Sequence, residues 1–462
     1  MNDSLSEYYR CPESYVRLSL KEPLSESDGY FNFGAGTTCY GRCAGHSPSP
    51  SPEDVLHDVL ADATLDEGTV RLPFDLKQVV DNLRYERYSL EVSSQSESKV
   101  AWAYYLVRPL LSVSVRKHLQ RWHLRGWDRL SFPHWPVDRT VDQIFEQTML
   151  LSLKAQSASQ IPFVWFWPEG ATSCAIMTHD VETEKGVRSC SYLMDVEDRF
   201  GIKASFQIIP EQRYEVTNDF LNSVRDRGFE VLVHDLNHDG HLFSEKAEFL
   251  RRAEKINSYG RRFRASGFRS AVLYRKQAWF DALDFSYDMS VPNVAHLDPQ
   301  RGGCCTVMPY FVGKILELPV TTTQDYTLFN ILNDYSIDLW KKQIELIMEK
   351  HGLISVIVHP DYVDGSRERK VHEALLAHLS DLREQKGIWI TTPGEVDRWW
   401  RQRAEMKLVK DEQGWHVEGA GSERARVAFA SEKDGRICYT CDSTGAKLHP
   451  INVRMDRESC AD

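Results

Sequence analysis

The chain reads as an α/β protein: an irregular (β/α) barrel with an N-terminal α+β region and a small C-terminal β module. Two observations predict the barrel. From residue 161 to about 400, short apolar runs alternate with amphipathic stretches, the pattern of βαβ units around a parallel sheet. The polar, chemistry-bearing residues cluster where the apolar runs end, and in a barrel those strand ends form the active-site rim. A third observation sets the limits. The 462 residues suggest two or three domains at about 150 residues each, and the residue pattern changes on both sides of the barrel. The chain thus divides into 1–158, 159–402 and 403–462.

Taken in order, residues 47–54 (SPSPSPED) lack apolar periodicity and read as a loop. Gly34 and Gly36 form a lone G-x-G and read as a turn. One or two helices follow the loop, and 111–130 has helical character. Pro136 precedes a helix beginning near Asp138, with Leu150, Leu151 and Leu153 on its apolar side. From residue 161, IPFVWFWPEG leads into the strand CAIMTHDVE. The runs KASFQIIP, FEVLVHDLNH, FRASGFRS, FSYDMSVPN, ILELPVTTT, LISVIVHPDYV and IWITT continue the strands. Helical stretches lie between them, with Gly201, Gly228 and Gly352 at three expected helix ends. After residue 402, short alternating runs broken by Gly read as an antiparallel module.

With 42% apolar and 27% charged residues, the composition is that of a globular protein able to bury a sizeable core. The net charge of −11 argues against a nucleic-acid binder, which needs a basic face. No apolar run is long enough to span a membrane. The start lacks a basic-then-apolar leader, so a cytoplasmic protein with reduced thiols is expected. Cys39/Cys43 and Cys438/Cys441 are spaced like metal ligands, but the pairs lie far apart in sequence and read as incidental thiols. Cys304 and Cys305 read as packing residues.

Four groups at strand ends carry candidate chemistry. In Thr178-His179-Asp180-Val181-Glu182, the two acids stand two apart, so an extended segment points both to one side. One could bind a cation while the other acts as a base. His234 and His238 follow the strand FEVLV with the i, i+4 spacing that shares a face on one helical turn and suits metal ligation. His241 leaves a 238/241 pairing open. Arg269 in GFRS could hold a catalytic carboxylate ionised. His359 after LISVIV could act as an acid near neutral pH. Together these make a kit for metal-assisted hydrolysis. Trp165 and Trp167 flank the first group as aromatic candidates for stacking on a sugar, with core packing as the alternative.

The order and spacing of THDVE, H-x-x-x-H, GFRS and VIVHP resemble the polysaccharide deacetylase family, carbohydrate esterase family 4, over roughly residues 170–400. The resemblance implies a deformed (β/α) barrel and a divalent ion, zinc in the first place, with cobalt or nickel as alternatives. It implies hydrolysis of N-acetyl or O-acetyl groups on a carbohydrate. On these positions it implies Asp180 as base, Glu182, His234 and His238 as metal ligands, Arg269 as the partner of the base, and His359 as the acid. Asp288 is the best match to the remaining motif. Three positions depart from the family: Glu182 replaces Asp, Asp235 replaces Ser or Thr, and Ser270 replaces Pro. The spaced acids also resemble relatives that hydrolyse cyclic amides, allantoinase-like members among them. A non-catalytic protein that binds a glycan or a partner is the third reading.

Overall fold

The structure is a computed structural model and describes residues 2–89, 124 and 126–441. The N-terminal region holds β1 (Arg17–Leu20), β2 (Gly29–Asn32), β3 (Thr38–Gly41), β4 (Thr64–Asp66) and β5 (Thr69–Leu72). These form a sheet in the order β1-β5-β4 and a hairpin β2-β3. Gly34 and Gly36 make the hairpin turn with φ of +88° and +73°, left-handed values that glycine adopts without Cβ strain. The helix expected near Asp138 runs Thr140–Ala155 and buries Leu150 and Leu153. Most of the expected helical stretch 111–130 lies outside the described residues; Trp127–Arg129 forms a single 3-10 turn.

Next come β6 (Ile161–Val164), β7 (Cys174–Val181), β8 (Ser205–Ile208), β9 (Glu230–His234), β10 (Gly267–Arg269), β11 (Tyr287–Asp288), β12 (Tyr310–Val312), β13 (Ile315–Glu317), β14 (Leu353–Ile357) and β15 (Trp389–Thr391). The large sheet runs β12-β13-β11-β10-β9-β8-β7-β14, parallel throughout except for β12. β7 is buried along its whole length, as expected of a parallel strand covered on both faces. One edge of β7 is shared: β15 pairs with Cys174–Ile176 and β8 with Thr178–Val181. This splaying makes the barrel irregular.

The seam between the segment after β13 and β14 is bridged largely by threonine side chains. Thr321 Oγ1 donates to the Leu353 carbonyl (2.7 Å) and accepts from Ser355 N (2.9 Å). Thr322 Oγ1 donates to the Ser355 carbonyl (2.8 Å). Helices Glu184–Arg199, Asn218–Arg225, Lys246–Phe263, Asp338–Met348 and Ser366–Lys386 return the chain between strands. Lys246–Phe263 stops at left-handed Arg264. One helix end differs from expectation: the turn after Met348 closes on left-handed His351 rather than on Gly352.

The described residues end in β16 (Lys407–Asp411), β17 (Gly414–Glu418), β18 (Val427–Lys433) and β19 (Arg436–Cys441), paired as antiparallel hairpins. The strand at 161–164 does not enter the barrel; it pairs with β18, Val164 opposite Val427. The three regions share one apolar core that includes Phe31, Phe145, Trp167, Leu316, Trp399 and Ala428. Buried Asp142, in the N-terminal region, accepts from Thr306 Oγ1 (2.8 Å) and Val307 N (3.0 Å) of the barrel. Among the described residues, no helix is long and apolar enough to cross a membrane.

Candidate active site

The parallel strands all end at one rim, and that topology gathers Asp180, Glu182, His234, His238, Arg269 and His359. Asp180 ends the apolar run of β7 and is 3% exposed. Arg269, at the end of β10, donates Nη1–H to Asp180 Oδ1 (2.6 Å) and to Thr178 Oγ1 (2.9 Å), and Nε–H to the Met289 carbonyl (3.0 Å). Burial pushes the Asp180 carboxyl up, but Arg269, His234 and His359 outweigh it and hold the group below its ordinary value. It is therefore ionised at neutral pH.

Glu182 lies two residues beyond, directly after the strand. Its backbone N–H donates to Asp361 Oδ2 (3.4 Å) and Thr183 Oγ1 donates to Asp361 Oδ1, which fixes the segment that presents the carboxylate. Burial raises its pKa, and His238, with further help from His359 and His234, more than reverses this.

His234 closes β9. Its Nδ1 faces the Arg269 carbonyl at 3.1 Å; as donor there, the ring leaves the Nε2 lone pair for the site. Burial depresses its pKa to about 4, so the imidazole is neutral, as a metal ligand must be. The chain then turns sharply: Asp235 and His238 both have left-handed backbones, with φ of +56° and +57°. The two histidines thus do not share a helical turn, as their spacing suggested. A strand end and a strained loop bring the rings to 4.9 Å between centroids. Asp235 stabilises this loop, accepting from Leu236 N (2.6 Å) and Ala271 N (3.2 Å). Arg213 donates to the His238 carbonyl (2.7 Å). His241 is exposed and lies outside the cluster.

His238 Nε2 is 3.0 Å from Glu182 Oε1, and His234 Nε2 is 3.8 Å from Asp180 Oδ2. Yet both Nε2 atoms are buried without a hydrogen bond, the His234 contact being too long for one. Donor atoms of Glu182, His234 and His238 all lie within 4.8 Å of one another. Two unsatisfied imidazole nitrogens and a carboxylate fit a divalent transition ion.

His359 follows β14. Its Nε2 lies 3.6 Å from Glu182 Oε1 and 4.0 Å from Asp180 Oδ2. Asp325, fully buried, receives both His359 N–H (2.8 Å) and His359 Nδ1–H (2.6 Å). Burial lowers the imidazole pKa, but Asp325, Glu182 and Asp180 together push it up to about 10, so it carries a proton to give at neutral pH.

No apolar run marks Asp325 in the sequence, and Asp288, the best match to the remaining motif, stands elsewhere. Asp288 is buried at the end of β11 and accepts from Ser290 N (2.8 Å) and Ser290 Oγ (2.9 Å). It neighbours Glu317, and burial raises both carboxyls. It makes no contact with His359 or Asp180. Trp165 and Trp167 are fully buried, with indole N–H groups donated to the Ala171 and His351 carbonyls; they pack the core and offer no stacking face. Cys39 and Cys43 are buried, Cys438 and Cys441 are half-buried, and none joins a metal-ligand cluster among the described residues.

No family model matches the chain, and no curated protein matches it in sequence. Among solved structures, one similar chain is a Mycobacterium smegmatis protein described as a polysaccharide deacetylase (15% identity, TM-score 0.40, 52% of this chain and 93% of that one). Puue allantoinase aligns at 11% identity and a TM-score of 0.41, over 51% of this chain and 92% of its own. A family 4 acetyl xylan esterase from Clostridium thermocellum, in complex with cobalt, aligns at 11% identity and a TM-score of 0.32, over 49% and 91%. The chemistry of the rim rests on its own atoms.

Proposed function

We propose that the protein is a metal-dependent hydrolase of the polysaccharide deacetylase type that removes an acetyl group from a nitrogen, or an oxygen, of a carbohydrate. One observation carries the reading: the unsatisfied Nε2 atoms of His234 and His238 face Glu182, between a base held by Arg269 and an acid held by Asp325. Glu182, His234 and His238 would hold the ion, zinc first, with cobalt or nickel as alternatives. Bound there, such an ion supplies Lewis-acid polarisation of a carbonyl and a more acidic water.

The chain's own groups do the rest. Asp180 takes the proton of the attacking water, and Arg269 keeps it ionised until then. His359, with its Nε2 3.6 Å from Glu182 Oε1 and 4.0 Å from Asp180 Oδ2, gives its Nε2 proton to the leaving nitrogen or oxygen. Asp325 holds the ring in the tautomer and orientation that make this transfer short. The one-residue spacing between Asp180 and Glu182 favours a second reading, hydrolysis of a cyclic amide by the same groups.

The test is metal content together with acetate release from a panel of N-acetylated and O-acetylated sugars, run beside ureides and imides. Wild type is expected to bind about one ion at this site. His234→Ala loses that ion, and Asp180→Asn keeps it but loses about 10²–10⁴-fold in rate. A chain that takes up no zinc, cobalt or nickel here would sink the catalytic reading and leave a binding protein.

A further inference from the structure

The N-terminal region carries a ligand cluster of its own. His46 and His57 stand at the two ends of the Pro- and Ser-rich loop 47–56, and Asp62 ends the short 3-10 helix Val59–Asp62. His46 Nε2 lies 3.4 Å from Asp62 Oδ2, and His57 Nε2 lies 3.6 Å from the same oxygen. The two rings face one another, with centroids 3.4 Å apart and planes at 30°. One donor atom from each residue falls within 4.8 Å of the others.

These separations are too long for a good N–H···O bond, which sits at about 2.7–3.2 Å. Asp62 Oδ2 is accordingly buried without a hydrogen bond. They are the right length for ligands sharing one ion: bonds of about 2.0–2.1 Å in a tetrahedron put neighbouring donors about 3.3–3.4 Å apart. The surrounding backbone already holds the three in place. The His57 carbonyl accepts from Asn32 N (2.8 Å). Asp58 Oδ1 accepts from Gly34 N (2.8 Å) and Leu60 N (3.0 Å), which anchors the helix that ends in Asp62. Cys43 Sγ–H donates to the His46 carbonyl (3.5 Å).

We propose that His46, His57 and Asp62 bind a second divalent transition ion of the zinc class, separate from the barrel rim. Two imidazoles and one carboxylate form its protein ligands, and the half-exposed side chains leave the fourth position to water. Its effect is a clip: it ties both ends of the 47–56 loop to the helix end, removing loop entropy from the unfolded chain.

The experiment takes the full chain, stripped of metal and titrated with zinc, with ions per chain counted and the melting temperature followed. His57→Ala and Asp62→Asn are each expected to bind about one ion fewer than wild type while releasing acetate at the wild-type rate. In a His234→Ala background, zinc still raises the melting temperature, and adding His57→Ala abolishes that rise. If zinc counts are the same in wild type, His57→Ala and Asp62→Asn, the proposal is overturned. A wild type with a single ion, lost in His57→Ala but kept in His234→Ala, supports this site and overturns the rim reading instead.

Discussion

Asp325 shapes the acid of the proposed reaction without standing on the rim. It takes two hydrogen bonds from His359, and its charge does most to lift the imidazole to about 10. An acid works while protonated, so its activity falls as pH rises through its pKa. Asp325→Asn removes the charge and lowers that pKa. The alkaline limb of the pH–rate profile is therefore expected to move to lower pH, with metal content unchanged; an unmoved limb would assign the proton to another group. Most of the residues that do line the rim were legible because they stand at or just beyond the end of an apolar run. Asp325 was hidden because Thr321, Thr322, Thr323 and Gln324 separate it from the apolar run that ends at Val320, and its partner lies 34 residues away. Asp288 had the better sequence signature, a strand end, yet its strand points it at Ser290 and Glu317.

At the scale of elements, strands and helices were readable from alternating apolar runs, whereas the joins between them were not. The spacing of His234 and His238 matches a helical turn, but two left-handed residues achieve the same approach, and nothing in a single sequence announces left-handed Asp and His. The seam was equally hidden, because threonine hydroxyls there stand in for most of the backbone ladder. Thr321 both gives to the Leu353 carbonyl and receives from Ser355 N. Thr321→Val would keep the shape and strand a buried backbone N–H, at a cost of about 1–3 kcal/mol. Chemical denaturation measures this directly, and a loss well under 1 kcal/mol would show that water or β14 itself mends the seam.

Over the whole molecule, stability depends on histidines kept neutral in the interior. His372 is 2% exposed, and neither ring nitrogen makes a hydrogen bond. Burial, then the nearby charge of His179, lowers its pKa to about 3. Its unfolded value is about 6.5. The unfolded chain thus binds the proton more readily, and the stability is present above about 6.5 and lost as pH falls toward 3. His372→Phe is expected to flatten the loss of stability between pH 6.5 and 5 by up to about 1.4 kcal/mol per pH unit; equal slopes for variant and wild type would refute this. Shifts of pattern in the sequence predict a three-part layout, but they leave the partner of Ile161–Val164 hidden, because strand pairing across more than 260 residues leaves no local mark. That pairing bears on how the protein is handled. A fragment cut back to the barrel would lose β18 and bare the backbone edge of an entirely apolar strand beside Trp165 and Trp167. Such an edge recruits other chains, so the trimmed barrel would aggregate with its rim intact.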